Sequence, residues 1–222
     1  MAPSKKKATK GKSPKNPSVK VPWPRLTPKK HLQLTEILED QVYTLDGFLN
    51  PKECSELTKI IDSHFQLQPS PPPGRDEAFR SNLRASCEDP DFAQYLYSTT
   101  GLDCLVRHWT RAGKAPAGLN GHVRVYKYEE GQRFGRHYDE SVRVPETGMA
   151  SGWTLLVYLN DVASGGETIF YGPARDQVTG VAPHQGMALL HRHGEHCLLH
   201  EGARVGAGCT KYVLRSDLMF PC

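Results

Sequence analysis

The 222-residue sequence predicts a mainly β protein with flanking helices, an α+β chain built on a jelly roll or barrel. Three observations predict it. From His122 onward, short runs rich in Val, Ile, Leu and Tyr recur between Gly and Pro punctuation: His122–Tyr128, Phe134–Asp139, Trp153–Leu159, Thr168–Phe170, Met187–Leu190, Cys197–His200 and Lys211–Met219. Ahead of them lie two stretches with helical periodicity. The modest hydrophobic content, 38%, reflects a deficit at the N-terminus, so the remainder has apolar material for one core.

In chain order, residues 1–30 carry ten Lys or Arg and no Asp or Glu, with almost nothing to bury. They are expected to form a disordered basic tail that suits nuclear import or contact with a polyanion. The other 192 residues hold 18 basic against 24 acidic side chains, so the body of the protein is not a nucleic-acid footprint. Residues 31–120 read as a helical and strand support region, and residues 121–222 as the functional core. Val42–Leu45 is a short strand and Asp46-Gly47 a turn. Asn50 then caps a helix with Pro51 at its first position, where Cys54, Leu57, Ile60, Ile61 and Phe65 line one face at three-and-four spacing. Ser70–Gly74 is a proline-rich loop, and Phe92–Tyr97, after Asp89-Pro90-Asp91, a second helix. Between them Arg80, Asn82 and Arg84 alternate as on a strand.

No apolar run approaches a membrane span and no secretory signal is visible, which predicts an intracellular protein of the nucleus and/or cytoplasm. The six cysteines lack metal-like spacing and are expected to be reduced thiols.

The chemistry gathers at His137-Tyr138-Asp139. If Phe134–Ser141 is a strand, His137 and Asp139 project to one face and Tyr138 to the other. An imidazole and a carboxylate joined by a distant histidine make a facial set of two nitrogens and one oxygen, which leaves positions open for substrates and suits non-haem Fe(II). Five histidines compete for that third place: His184, His191, His193, His196 and His200.

The ordered ensemble of Tyr128, Gly131, Phe134, His137, Asp139, Thr154–Asn160, Gly165–Thr168, Gly186–Leu190, His200-Glu201-Gly202 and Gly208–Tyr212 resembles the prolyl-4-hydroxylase-like branch of the Fe(II)/2-oxoglutarate dioxygenases. The resemblance selects the double-stranded β-helix form of jelly roll, with the N-terminal helices packed on one sheet. It implies metal ligands His137, Asp139 and His200, Fe(II) as cofactor, 2-oxoglutarate and O₂ as co-substrates, and room for ascorbate. It places Lys211, eleven positions after His200, on the far carboxylate of 2-oxoglutarate, with Arg215, four residues further on and on the same strand face as Lys211 and Val213, as the fallback cation. Tyr128 is expected to support that carboxylate. Thr154, which faces the same way as Leu156 and Tyr158, is expected to add a hydroxyl to the pocket. Arg80, Arg84 and His191 become candidates for a substrate groove, His191 as a pocket-lining residue, while His193 and His196 are assigned to an exposed turn with Gly194.

The implied reaction hydroxylates a protein side chain, proline foremost, while 2-oxoglutarate is decarboxylated to succinate and CO₂. Its alternatives are the same chemistry on another amino acid, a small molecule or nucleic acid, and a non-catalytic module that binds metal or 2-oxoglutarate. The expected partner is a protein or peptide, with nucleic acid reached only through the basic tail and no membrane contact.

Overall fold

The computed structural model describes residues 20–75 and 77–222. The predicted basic tail therefore lies mostly outside the described residues. Its last third does not behave as expected: Val21 and Leu26 are buried, and Trp23 stacks on Phe92 at 3.9 Å between ring centroids while its indole N–H donates to Asp89. One Trp, one Val and one Leu amid prolines are enough apolar surface to hold the segment down, and the count of lysines concealed them.

After β1 (Thr35–Leu38) and β2 (Val42–Leu45), helix α1 runs Pro51–His64. Asn50 accepts from the Glu53 backbone N–H and the Glu53 carboxylate accepts from the Asn50 N–H, a complete capping box, with Pro51 at the first position. Then come β3 (Gln68–Pro69), β4 (Leu83–Glu88), α2 (Pro90–Thr99), capped by Asp89, and α3 (Leu102–Val106). The remaining strands are β5 (Gly118–Leu119), β6 (His122–Tyr128), β7 (Phe134–His137), β8 (Arg143–Val144), β9 (Met149–Tyr158), β10 (Thr168–Tyr171), β11 (Gln177–Val181), β12 (Ala188–Arg192), β13 (Leu199–Gly202) and β14 (Lys211–Pro221).

They form two antiparallel sheets. The large one runs β1-β2-β12-β9-β14-β6-β4-β3, with β5 and β8 added beside β14 and β9, and the small one runs β11-β10-β13-β7. The large sheet takes strands from both sides of residue 120, so the expected boundary there does not separate two bodies. Because successive residues of a strand face opposite ways, the central strands supply two cores. Val125, Leu155, Leu190 and Leu214 join Leu57 and Ile61 of α1 and Phe92 and Leu96 of α2 in one cluster. Tyr126, Leu189 and Val213 instead join Phe170 and Val181 of the small sheet in the other. The candidate site opens within this second layer.

Among the described residues no helix is long and apolar enough to cross a membrane. All six cysteines are free thiols.

Candidate active site

The register of the small sheet brings two histidines together before any ion is considered. His200 on β13 sits opposite His137, the last residue of β7, with ring centroids 4.2 Å apart. The strand ends there, two residues short of Asp139, so the predicted strand through Ser141 is too long. Asp139 is held instead by the loop: its carbonyl accepts from Gly194 N–H (2.8 Å), and its own N–H donates to Cys197 Sγ (3.2 Å). Gly194 must be glycine here, because its φ is +71° and a Cβ would lie 2.6 Å from Ser141 Oγ. Tyr138 points outward as expected, 60% exposed.

The donor atoms converge. His137 Nε2 lies 3.6 Å from Asp139 Oδ1, and His200 Nε2 lies 3.7 Å from Oδ2. Each ring is tied on its other side, His137 Nδ1 to the Gly135 carbonyl (2.8 Å) and His200 Nδ1 to the Leu198 carbonyl (2.9 Å). With Nδ1–H donating, Nε2 is left as a lone pair aimed inward, the tautomer a metal ligand requires. Burial, then the neighbouring His137, lowers the His200 pKa to about 4, so its imidazole is neutral and able to coordinate. His137, Asp139 and His200 thus form a set that fits a divalent ion.

Asp139 is also tightly held from behind. Arg215 on β14 grips it with a hydrogen bond of 3.1 Å to Oδ1 and an ion-pair contact of 2.9 Å to Oδ2, and Thr154 Oγ1 donates to Oδ2 at 2.8 Å. Burial alone would raise this carboxyl, but Arg215, followed by the histidines, keeps it well below the usual range. Behind Thr154 a chain of hydrogen bonds continues: His193 Nδ1–H to Thr154 Oγ1 (3.0 Å), Ser151 O–H to His193 Nε2 (2.8 Å), and Val142 N–H to Ser151 Oγ (2.8 Å). Three expectations change here. Thr154 shares the predicted strand face, yet its hydroxyl is used on Asp139 rather than on a co-substrate. Arg215, the fallback cation, is committed to Asp139 and Asp217. His193 is buried within this network and not in an exposed turn, whereas His196 is exposed as expected.

A narrow cavity of about 40 Å³ runs from the three donors between the sheets, past Leu156, Thr168 and Val213, to Tyr128 and Lys211. Tyr128 and Lys211 are direct cross-strand neighbours on β6 and β14. Lys211 is fully buried. Its ammonium donates to the Gly166 carbonyl at 2.6 Å, and burial, opposed only weakly by Glu167, lowers its pKa to about 7. Among the described residues no carboxylate pairs with it, so the cation waits for an anion from outside the chain. Lys211, Val213 and Arg215 share one face as the strand period predicts, but their two charges serve opposite ends of the cavity.

His191 lines the same cavity. Its Nδ1 is bound to the Arg192 carbonyl, while Nε2 is buried with no hydrogen-bond partner among the described residues, 3.6 Å from Asp139 Oδ2. An orphaned buried nitrogen facing the donor set is what a site built for an added ion or ligand would leave. Phe134, stacked on His137 at 3.6 Å, and Arg80, whose guanidinium lies 3.5 Å above Phe134, complete the mouth. Sequence spacing does not reveal the Phe134 stack, since residues three apart on a strand face opposite sides. Beyond Arg80 the cavity opens into a groove of about 580 Å³ that includes the exposed Arg84.

Comparison with known proteins agrees with this geometry. Residues 122–216 match the family model described as the 2OG-Fe(II) oxygenase superfamily. The chain is 26% identical over 156 residues to Prolyl 4-hydroxylase 2 of Arabidopsis thaliana, covering 65% of this chain and 48% of that protein. It thus spans about half the length of the curated relatives it matches. Its fold is similar to that of a viral collagen prolyl hydroxylase from Paramecium Bursaria Chlorella virus-1 in complex with 2OG (TM-score 0.57, 18% identity, 83% of this chain and 98% of that one). It is similar also to a prolyl hydroxylase from Trichoplax adhaerens in complex with a hypoxia inducible factor peptide fragment (TM-score 0.59, 16% identity, 81% and 84%). The resemblance read from the sequence, to prolyl-4-hydroxylase-like 2OG-Fe(II) oxygenases, is borne out, and with it the jelly-roll type of fold.

Proposed function

We propose, from the similarity of this chain to prolyl-4-hydroxylase-like 2OG-Fe(II) oxygenases, that it is an Fe(II)- and 2-oxoglutarate-dependent hydroxylase of protein or peptide side chains, proline foremost. The observation that carries this reading is a single cavity with His137, Asp139 and His200 at one end and, at the other, a buried lysine that no carboxylate among the described residues pairs with. When bound, Fe(II) supplies the means to activate O₂ at the expense of a keto acid, which is decarboxylated to succinate and CO₂. The protein's own residues do the rest. His137, Asp139 and His200 hold the ion from one side, Arg215 and Thr154 fix the carboxylate, and Lys211 with Tyr128 receives the far carboxylate of 2-oxoglutarate.

We assign Arg80, Arg84 and the outer groove to substrate contact, and His191 to the wall against which the bound ligands rest. The α1 and α2 helices serve as a rigid backing for the large sheet. The division at residue 120 is retained only as one of function, since all assigned donors except Arg80 and Arg84 follow it. The basic cluster from Lys5 to Lys15 supports assignment to the nucleus as well as the cytoplasm, and any nucleic-acid contact is assigned to it. Fusing residues 1–30 to a reporter tests that assignment: nuclear accumulation supports it and a uniform distribution refutes it.

The enzymatic reading is tested by measuring succinate formed from 2-oxoglutarate with Fe(II), O₂ and a peptide array. Wild type is expected to form succinate and a product heavier by one oxygen, and His137→Ala neither. Silence of the wild type over the array, together with intact Fe(II) and 2-oxoglutarate binding, would favour a non-catalytic module instead.

A further inference from the structure

The groove outside the cavity carries charge that the fold itself leaves unused. Four arginines line it, and two are spoken for: Arg215 by Asp139, and Arg124 by Asp217. The other two are not. Arg80 sits where cavity and groove meet, with its guanidinium 3.5 Å over the Phe134 ring and 5.5 Å from that of Tyr126. Its Nε is buried without a hydrogen-bond partner, and among the described residues it has no carboxylate within ion-pair range. Stacking on two aromatic faces orients the planar fork and leaves its N–H edge for a planar anion. Arg84 stands exposed on the neighbouring strand β4, cross-strand from Tyr126, and likewise has no acidic partner among the described residues. The acidic side chains of the groove are Asp139, which belongs to the metal set, and Glu140.

We propose that Arg80 and Arg84 form a carboxylate-recognition pair, so that the preferred substrate is an acidic peptide with an Asp or Glu beside the residue that enters the cavity. This rests on the hydroxylase reading above and narrows it to a substrate class. A peptide fits the observations better than nucleic acid does. Residues 31–222 carry 18 basic against 24 acidic side chains, so the positive charge is local to the groove and could not track a phosphate backbone. A desolvated guanidinium with an open fork also suits bidentate contact with a single carboxylate. The groove, at about 580 Å³, has room for several residues of an extended chain between Arg84 and Asp139.

The test uses the full chain with Fe(II) and 2-oxoglutarate under anaerobic conditions, and reads peptide binding by fluorescence polarisation. Three pools share a randomised central residue and differ only in flanks enriched in Asp and Glu, in Asn and Gln, or in Lys. The acidic pool is expected to bind about tenfold tighter than the amide pool at low salt, with the gap shrinking as salt is added. Arg80→Gln and, separately, Arg84→Gln are expected to cut the gap to about threefold or less, with Arg80→Lys intermediate because it keeps charge but not the fork. Arg84 is exposed, so its variant stands if Arg80→Gln does not fold. Equal binding of acidic and amide pools, preference for the lysine pool, or tighter binding of a single-stranded oligonucleotide than of the acidic pool overturns the proposal. Peptide-independent succinate formation by the wild type separates the two readings. Its presence without acidic preference overturns only the recognition pair, and its absence counts against the hydroxylase reading alone.

Discussion

At the scale of single residues, Lys211 is the group whose state depends most on what the cavity holds. Buried without an anion, it releases its proton near pH 7 instead of near 10.5. Between those values the folded chain binds fewer protons than the unfolded chain, so the stability of the ligand-free protein rises with pH across that window. Replacing Lys211 with Met is expected to remove this rise, which thermal unfolding at pH 6.5 and pH 9 would measure. The affinity for 2-oxoglutarate should move the other way, weakening above pH 7 as the cation is lost. A charge-assisted contact contributes about 1.5–3 kcal/mol, so Lys211→Ala is expected to weaken co-substrate binding by about tenfold to 150-fold by equilibrium titration. Unchanged affinity in Lys211→Ala would remove this lysine from the co-substrate site.

The supports of Asp139 act at the same scale. Thr154→Val removes one hydrogen bond to the carboxylate and strands His193 Nδ1–H, and is expected to weaken Fe(II) binding by about tenfold or more while the fold survives. His137, Asp139, His200 and Lys211, which line one cavity, were legible as residue types in an order. The Thr154–His193–Ser151 chain was not, because nothing in linear spacing tells a strand hydroxyl to choose a carboxylate over a ligand. Arg215 was misassigned for the same reason. Strand period gives the face on which a side chain lies, but the loop after His137 decides where along that face Asp139 meets it.

At the scale of elements, what the sequence states in local chemistry the structure repeats closely. Val42–Leu45 and His122–Tyr128 are strands with the expected ends, and the Asn50 cap begins α1 where Asn-Pro placed it. Asn50→Ala should cost about 1 kcal/mol by losing the capping box, read as a lowered midpoint in urea with an unchanged slope. Gly186 is more demanding. Its φ is +80°, and a Cβ would lie 2.0 Å from the Leu49 carbonyl oxygen, at the junction that leads β12 into the large sheet. Gly186→Ala is therefore expected to destabilise by several times the cost of the lost cap, since both the backbone region and the contact must yield. Short strands such as β3, β5 and β8 were invisible, being two residues long and defined only by pairing partners.

At the scale of the whole molecule, residues of the large sheet are shared between two apolar clusters, and the site lies with the second, where His137 and His200 of the small sheet meet Arg215, Lys211, Tyr128 and Thr154 of the large one. The fold class was readable from strand spacing, but the extent of the folded body was not. A chain that begins at residue 20 keeps Trp23 and Leu26 on α2 and Val21 buried, whereas one that begins at residue 31 loses them. The second is expected to melt several degrees lower, in keeping with the loss of buried apolar area. Equal melting would mean that this segment only rests on the body.

The most direct measurement is an anaerobic titration of Fe(II) into the full chain, with and without 2-oxoglutarate, for wild type, His137→Ala, Asp139→Ala and His200→Ala. One Fe(II) is expected per wild-type chain, bound more tightly when 2-oxoglutarate is present, with a loss of both binding and synergy in each variant that remains folded. Full Fe(II) binding by a folded His200→Ala chain would contradict it.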